Sequence, residues 1–387
     1  MVFFVADNIV SSLGMSTKQN FKSLLNGNTG ISVVENNDIY NEPFQASMIN
    51  DNVLEEHYNL ISKKYPYSNI KHTRLEKMLI VSVDEALSKT NIDITSHKTG
   101  IILSTTKGNI NLLEPDKRNS FATNRVSLWK LGEVIKKFFG NPNMTIVISN
   151  ACISGVLAIN KAAMMIQSEK YDNVVVTGAD LVSRFVVSGF MSFMSLSSDP
   201  CRPFDKERNG LSLGEAASTI ILSSDPNGNS IRYRGGGSAN DANHISGPSR
   251  TGEGSFIAIN KALIEAGITS SDIDHISSHG TATPYNDEME SVAIDRHNLN
   301  KVPVNSIKGC LGHTLGAAGL VETSILLEEM RMNTLIKSAG FENLGVSKDI
   351  SVITQTQETE ITTCLKMASG FGGSNASLII SKVGNDK

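Results

Sequence analysis

TIVISNACISGVLAINKAAMMI, residues 145 to 166, sets a β-branched run against a helix rich in small residues, with Asn150, Ala151 and Cys152 at the changeover. Thr145 to Ser149 has the branched, apolar character of a buried strand. The helix that follows has Gly155, Ala158, Ala162 and Ala163 where close packing against another element would need them. A strand ending where a helix begins places Cys152 beside peptide N–H groups that have no helical partner and beside the positive end of the helix dipole. That setting favours a thiolate, so Cys152 is the first candidate nucleophile.

Outward from this junction the chain alternates strands and helices, which predicts an α/β fold. The expected elements are a strand from the first residues, a helix over Thr17 to Leu25, a helix within 71 to 89, a strand over Thr99 to Ser104 and a helix over Val126 to Phe139. A strand at Asn173 to Thr177 follows the Cys152 helix, and another runs from Ala217 to Leu222. SSDPNGNS, residues 223 to 230, is a cluster of turn formers and divides the chain into 1–228 and 229–387. The second part repeats the pattern: a strand at 231 to 233, helix 254 to 266, strand 273 to 278, helix 288 to 297, strand 302 to 306, helix 316 to 332, and closing strands near 350 to 354 and 376 to 382. NSIKGCLGHTLGAAGLVETSILL has the same shape as the Cys152 stretch, weak support for a duplicated unit.

Composition narrows the class. With 387 residues and 40% hydrophobic content the chain can bury a large core. A net charge of −4 without a long Lys/Arg run argues against nucleic acid as a partner. Cys152, Cys201, Cys310 and Cys364 are widely spaced, which fits free thiols in a reducing compartment, and the cytoplasm is expected. MVFFVADNIVSSLG, interrupted by Asp7, reads as a first strand and not as a signal peptide. No apolar run approaches the roughly 18 residues of a membrane helix.

Three further segments place polar residues where packing alone would not: SSHGTATPYNDEMES (277–291), NSIKGCLGHTLGAAG (305–319) and ASGFGGSNAS (368–377). His279 ends a strand and His313 sits in a Gly-flanked turn, both where α/β sheets bind ligands. Spacing alone supports a cysteine enzyme of unspecified reaction.

The literal strings say more. NACISG around Cys152, RPFDKERNGLSLGEAA (202–217), HGTATPYNDEME (279–290), KGCLGHTLGAAG (308–319) and GFGGSNAS (370–377) resemble, in that order, the signature blocks of β-ketoacyl-acyl-carrier-protein synthases. The similarity spans nearly the whole chain and is to the elongating, Cys-His-His branch of these condensing enzymes. The resemblance implies a thiolase fold, with duplicated βαβαβ halves in α-β-α-β-α layers. It implies an acyl group on Cys152, with His279 and His313 assisting decarboxylation of a malonyl thioester. Lys308 would be catalytic and Glu290 structural. The N–H groups of Cys152 and Phe371 would form an oxyanion hole, the Phe371 ring a gate, and Thr281 and Thr283 would bind pantetheine, pointing the same way from an extended segment. Arg202, Asp205 and Glu215 would hold loops.

No cofactor or metal is implied. The expected partners are an acyl carrier protein bearing phosphopantetheine, met by Lys71 and Arg74 with Lys130 as a weaker candidate, and a second copy, pairing through the strand at Asn173 to Thr177. A heterodimer, with this chain as its active member, stays open. Two features depart from the family pattern. Ile153 follows the nucleophile where alanine is usual, and Lys107 in STTKGNI falls near the floor of the acyl pocket. An inward lysine would favour a short, polar or polyenic acyl chain, and an outward one would not. A coenzyme A thiolase, with Cys364 as second cysteine, and a noncatalytic carrier-binding subunit are the alternatives.

Overall fold

Apolar runs whose neighbours alternate sides build one large sheet. A computed structural model describes residues 1–65, 70–117, 120–241, 247 and 249–384. The sheet's strands are β1 (Val2–Ser11), β2 (Thr99–Ser104), β3 (Ile146–Ile148), β4 (Asn173–Asp180), β5 (Ala216–Ser223), β6 (Ile231–Asn240), β7 (His275–Ser277), β8 (Pro303–Asn305), β9 (Ser351–Val352), β10 (Thr363–Gly370) and β11 (Ser374–Lys382). Their order across the sheet is β9-β8-β7-β10-β11-β6-β1-β5-β4-β2-β3.

That order contains the same pattern twice. In the first half β2 runs parallel to both β3 and β4, and β5 is antiparallel to β4 and β1. In the second, β7 runs parallel to both β8 and β10, and β11 is antiparallel to β10 and β6. The halves are stitched where Val2 and Phe3 pair with Tyr233 and Arg232.

Period-2 alternation then sorts side chains into layers. Val174 and Val176 of β4 enter a central apolar cluster with Ile159 of helix Ser154–Gln167 and Leu320 of helix Ala318–Met332. Val175 points the other way, to helices Arg74–Leu87 and Leu128–Phe139. Ile380 of β11 joins the central cluster while Ile379 faces helices Glu253–Ala266 and Pro284–Arg296. The layers are therefore α-β-α-β-α, the thiolase fold. Its middle layer depends on missing side chains: a Cβ on Gly155 would lie 2.8 Å from the Leu320 nitrogen, and one on Gly319 would lie 2.6 Å from the Val156 nitrogen.

Several expected elements are revised. Strand β10 was not anticipated, because Lys366 interrupts its apolar run. Strand β6 continues through Gly235, Gly236 and Gly237 to Asn240, where helix Glu253–Ala266 lies directly on it: a Cβ on Gly237 would sit 2.0 Å from the Ala258 oxygen. Helix Pro284–Arg296 starts four residues earlier than residue 288, with Pro284 in its first turn. Helices Asp51–Ser62 and Arg184–Ser192 are additional. The proposed pairing strand is also corrected. β4, which contains Asn173 to Thr177, has β2 on one side and β5 on the other, so its ladder groups are already satisfied. The free edge of that half is β3.

Candidate active site

Cys152 stands one residue beyond a left-handed Ala151 (φ 43°), a conformation that turns the chain from β3 into the helix starting at Ser154. The turn is fastened by Ser154, whose hydroxyl donates to the Ala151 oxygen (2.6 Å) and accepts the Asn150 N–H (2.8 Å). Against it lies Gly370: a Cβ there would be 3.0 Å from both the Ala151 Cβ and the Cys152 nitrogen. Glycine at this point brings the Phe371 turn up to the cysteine. Ile153, beside Cys152, is buried in the central apolar cluster.

Burial pushes the Cys152 thiol up to about 12, although Lys308 and Lys107 pull it down. Burial thus works against the thiolate that the helix end would favour.

His279 and His313 meet edge to face, with ring centroids 5.1 Å apart. One ring nitrogen of each and the Cys152 Sγ lie within 4.8 Å of one another. Hydrogen bonds select the tautomers. Lys308 Nζ, which can only donate, lies 3.2 Å from His279 Nδ1, and the Leu315 N–H donates to His313 Nδ1 (3.2 Å). Both Nδ1 atoms are acceptors, so both Nε2 atoms carry hydrogen. The Nε2 of His313 is buried with no partner among the described residues, a donor aimed into the cavity. Burial, reinforced by Lys308 and Lys366, lowers both rings well below the usual histidine value, so both are neutral. This donor set fits hydrogen-bond donation to an oxygen. It does not fit metal ligation, which would need the Nε2 lone pairs.

Behind the histidines is a buried charge network. Lys308 donates to the His279 oxygen (2.5 Å) and pairs with Glu322, whose other oxygen is 2.6 Å from Lys366 Nζ. Glu290 accepts the His279 N–H (2.7 Å) and the Gly280 N–H (2.6 Å), and burial raises its carboxyl to about 7. Asp287 accepts the Thr281 and Ala282 N–H groups. Asp180, at the end of β4, accepts the N–H groups of Thr106, Lys107 and Gly316, tying the STTKGNI loop to the His313 loop. Glu322, Lys366, Asp287 and Asp180 escaped the sequence reading, since only the fold brings them behind the site. A lysine inside an otherwise apolar strand was the one available signal.

A cavity of about 490 Å³ opens on these groups, lined by Cys152, His279, His313, Thr281, Thr283 and Phe371 among others. The Thr281 and Thr283 hydroxyls do meet, 2.8 Å apart, but across a left-handed Ala282 (φ 64°) instead of an extended segment. Phe371 stacks on Phe190 (5.7 Å) and meets Phe193 edge-on (5.3 Å). Cys364 does not line the cavity; it is buried in the central cluster. The N–H of Lys107 is bound by Asp180, and its ammonium lies close enough to Cys152 to lower the thiol, although it does not line the cavity.

Outside the cavity, Asp205 accepts the Glu342 and Asn343 N–H groups, Arg202 donates to the Gly340 oxygen, and Glu215 accepts the Ile49 and Val182 N–H groups, so all three hold loops. Lys71 is exposed, with its ammonium 4.9 Å from the Phe121 ring centroid. Arg74 is corrected: its guanidinium is committed to Glu215 (2.8 Å), Asp51 (2.5 Å) and the Ile49 oxygen (2.8 Å), leaving little charge for a carrier. Lys130 is paired with Glu133. Among the described residues no helix is long and apolar enough to cross a membrane.

The family model for the β-ketoacyl synthase N-terminal domain matches residues 2–227, and that for the C-terminal domain matches 232–342. The chain belongs to the β-ketoacyl synthase family. This ketosynthase is thus a condensing acyltransferase. It is 34% identical over 266 residues to 3-oxoacyl-[acyl-carrier-protein] synthase 2 of Coxiella burnetii, covering 64% of each chain. Against the Vibrio cholerae protein of the same name, identity is 28% over 409 residues, 97% of each. A solved ketosynthase in complex with its chain length factor, from Xenorhabdus doucetiae, superposes with a TM-score of 0.86 at 25% identity, over 99% of this chain and 98% of that one.

Proposed function

We propose that this ketosynthase condenses an acyl group held on Cys152 with malonyl-acyl-carrier protein, in fatty acid or polyene/polyketide synthesis. The observation that carries the reading is the pair of neutral histidines with Nε2–H donors facing the Cys152 cavity, one of them unpartnered. In the first half-reaction the Cys152 sulfur attacks the acyl thioester, the C–S bond to pantetheine breaks, and the cysteine proton ends on the departing sulfur. The N–H groups of Cys152 and Phe371, brought together at Gly370, would hold the tetrahedral oxyanion.

In the second, the bond from the malonyl carbon to its carboxylate breaks, CO₂ leaves, and the electron pair becomes a thioester enolate. His279 and His313 would donate to the enolate oxygen, with Lys308 and Glu290 holding His279 in place. The carbanion attacks the acyl carbonyl, a C–C bond forms, and Cys152 departs as thiolate and is reprotonated from solvent. Thr281 and Thr283 would meet the pantetheine arm on its way in. An acyl carrier protein is the proposed donor of both thioesters, with Lys71 at the docking surface, and the cytoplasm the proposed compartment.

The halves 1–228 and 229–387 would divide the work, nucleophile in the first and donors in the second. A two-fold partner, identical or not, would pair along β3, whose Ile146, Val147 and Ile148 are only half-buried and whose edge is otherwise open. Within any heterodimer this chain would be the active member, because Cys152, both histidines and Lys308 are all in place. Lys107 is half-buried and does not line the cavity, so it gives no ground for preferring short, polar or polyenic chains over long saturated ones.

Intact-mass measurement after incubation with acyl carrier proteins bearing saturated, aromatic and polyenic chains tests the proposal. An adduct on the wild type and none on Cys152→Ala is expected. A wild type that takes no acyl group from any donor would move the chain to the noncatalytic-subunit reading.

A further inference from the structure

Lys366 is wholly buried on β10, yet nothing in the two half-reactions above uses it. Its ammonium donates to the backbone oxygens of Ser277 (3.2 Å), Ser278 (3.0 Å) and Met367 (2.7 Å) and pairs with Glu322 Oε2 (2.6 Å). Ser277 and Ser278 lead directly into His279. The remaining oxygen of Glu322 holds Lys308, which in turn donates to His279 Nδ1 and the His279 oxygen. The five groups close a ring that begins and ends at the segment carrying His279.

The charge count of that ring is uneven. Lys308 and Lys366 supply two cations, and Glu322 supplies one anion. Buried carboxyls also face the histidines. Glu290 spends its oxygens on the His279 and Gly280 N–H groups and, with its carboxyl raised to about 7, is only partly ionised at neutral pH. Asp180 is bound by the Thr106, Lys107 and Gly316 N–H groups, and Asp287 by those of Phe204, Thr281 and Ala282 with Arg208 3.8 Å away; burial raises both carboxyls. Lys107 adds further positive charge on the Cys152 side. A lone lysine–glutamate pair would have sufficed to orient His279. The second lysine changes the charge instead.

We propose that Lys366 is a positioning residue whose ammonium adds positive charge to that of Lys308 behind His279 and His313, helping to hold both rings as neutral donors while a malonyl carboxylate sits in front of them. This rests on the reading of the two histidines as donors to the enolate. A histidine that gained a proton would lose its Nδ1 acceptor and break with Lys308 or with the Leu315 N–H. The added cation opposes that protonation and also favours the anion formed when CO₂ leaves. Lys366 would act through Glu322 and the field, without touching substrate.

The test is the pH dependence of CO₂ release from malonyl-acyl-carrier protein by the full-length enzyme. Lys366→Met removes a cation, so its acid limb should move to higher pH by about one unit. Glu322→Gln removes the anion and should move it to lower pH. The double variant restores the net charge of the wild type, so its acid limb should return close to the wild-type position even if its rate is lower. A merely structural role predicts slower rates with an unmoved limb, and a double variant worse than either single one; that result would overturn the proposal. Should Lys366→Met fail to fold, an unmoved limb in Glu322→Gln would overturn it equally. His279→Ala and His313→Ala separate the two claims: if they still release CO₂ at the wild-type rate, the donor reading itself falls, whatever Lys366 does.

Discussion

The loops after β3 and after β8 occupy the same place in the two halves of the sheet, yet they differ in length and chemistry. After β3 the chain reaches its helix in a few residues, through one left-handed alanine, and Cys152 lands at the helix start. After β8 it inserts a short helix, Lys308–Leu311, and left-handed turns at Gly312 and Leu315 before the helix at Ala318. That extra length makes room for Lys308 and His313. The loops after β2 and β7 differ the other way in length, the longer one lying in the first half, and they carry Lys107 and His279. The two helices themselves remain close equivalents, crossing at Gly155 and Gly319. The repeated strand pattern makes a near-symmetric scaffold, and unequal loops place Cys152 on one side and His279 and His313 on the other.

The strongest way to break this comparison is to remove the donors one at a time. His279→Ala and His313→Ala should each lower malonyl decarboxylation by about a hundred-fold or more while leaving Cys152 able to take an acyl group. Intact mass and CO₂ release read the two steps separately. Loss of acylation in step with decarboxylation would mean that the halves do not divide the work.

The scaffold's symmetry is tested at the helix crossing. Gly155→Val and Gly319→Val each push side-chain atoms into the other helix's backbone, and each should cost about 1–3 kcal/mol or more. Similar drops in melting temperature are expected, and a large drop from one alone would show that the crossing is one-sided.

Both halves use buried carboxyls to hold loop N–H groups, Asp180 those of Thr106, Lys107 and Gly316 and Glu290 those of His279 and Gly280. Glu290 is raised from the ordinary 4.5 to about 7, so the folded state binds its proton more tightly than the unfolded chain does. Its contribution is therefore present at low pH, is lost as pH rises from about 4.5 to about 7, and changes no further above that; the total is about 3 kcal/mol at most. Chemical denaturation across that window should show Glu290→Gln with a flatter pH dependence than the wild type, and parallel curves would contradict this account. The smallest effect belongs to the outer surface. Lys71→Glu should raise the apparent KM for carrier-bound substrate several-fold and leave small thioesters unaffected.

Legibility in the sequence followed the range of the interactions. Strand Thr99–Ser104 and helix Thr17–Leu25 lie where the pattern placed them, because their burial is written in neighbours two, three or four residues apart. Strand β10 was missed for the reason that makes Lys366 interesting: a charged side chain in a strand interior reads as a loop until its buried anion is known. The pairing strand was misassigned because a β-branched run shows that a strand is buried, but not whether it lies at an edge. Arg74 looked like a free surface cation for the same reason, its partners Glu215 and Asp51 coming from other parts of the chain.

By itself, then, the sequence determined the class of chemistry, singled out Cys152, His279 and His313, and set the alternation that builds the layers. These depend on local order: a strand, a turn, a helix and the residue at the junction. Only the tertiary structure decided the burial of Cys152, the tautomers of His279 and His313, the edge position of β3 and the charges gathered at Lys308, Glu322 and Lys366. A buried charge is tolerated only where partners converge from several elements, and that convergence comes into being only when the chain folds.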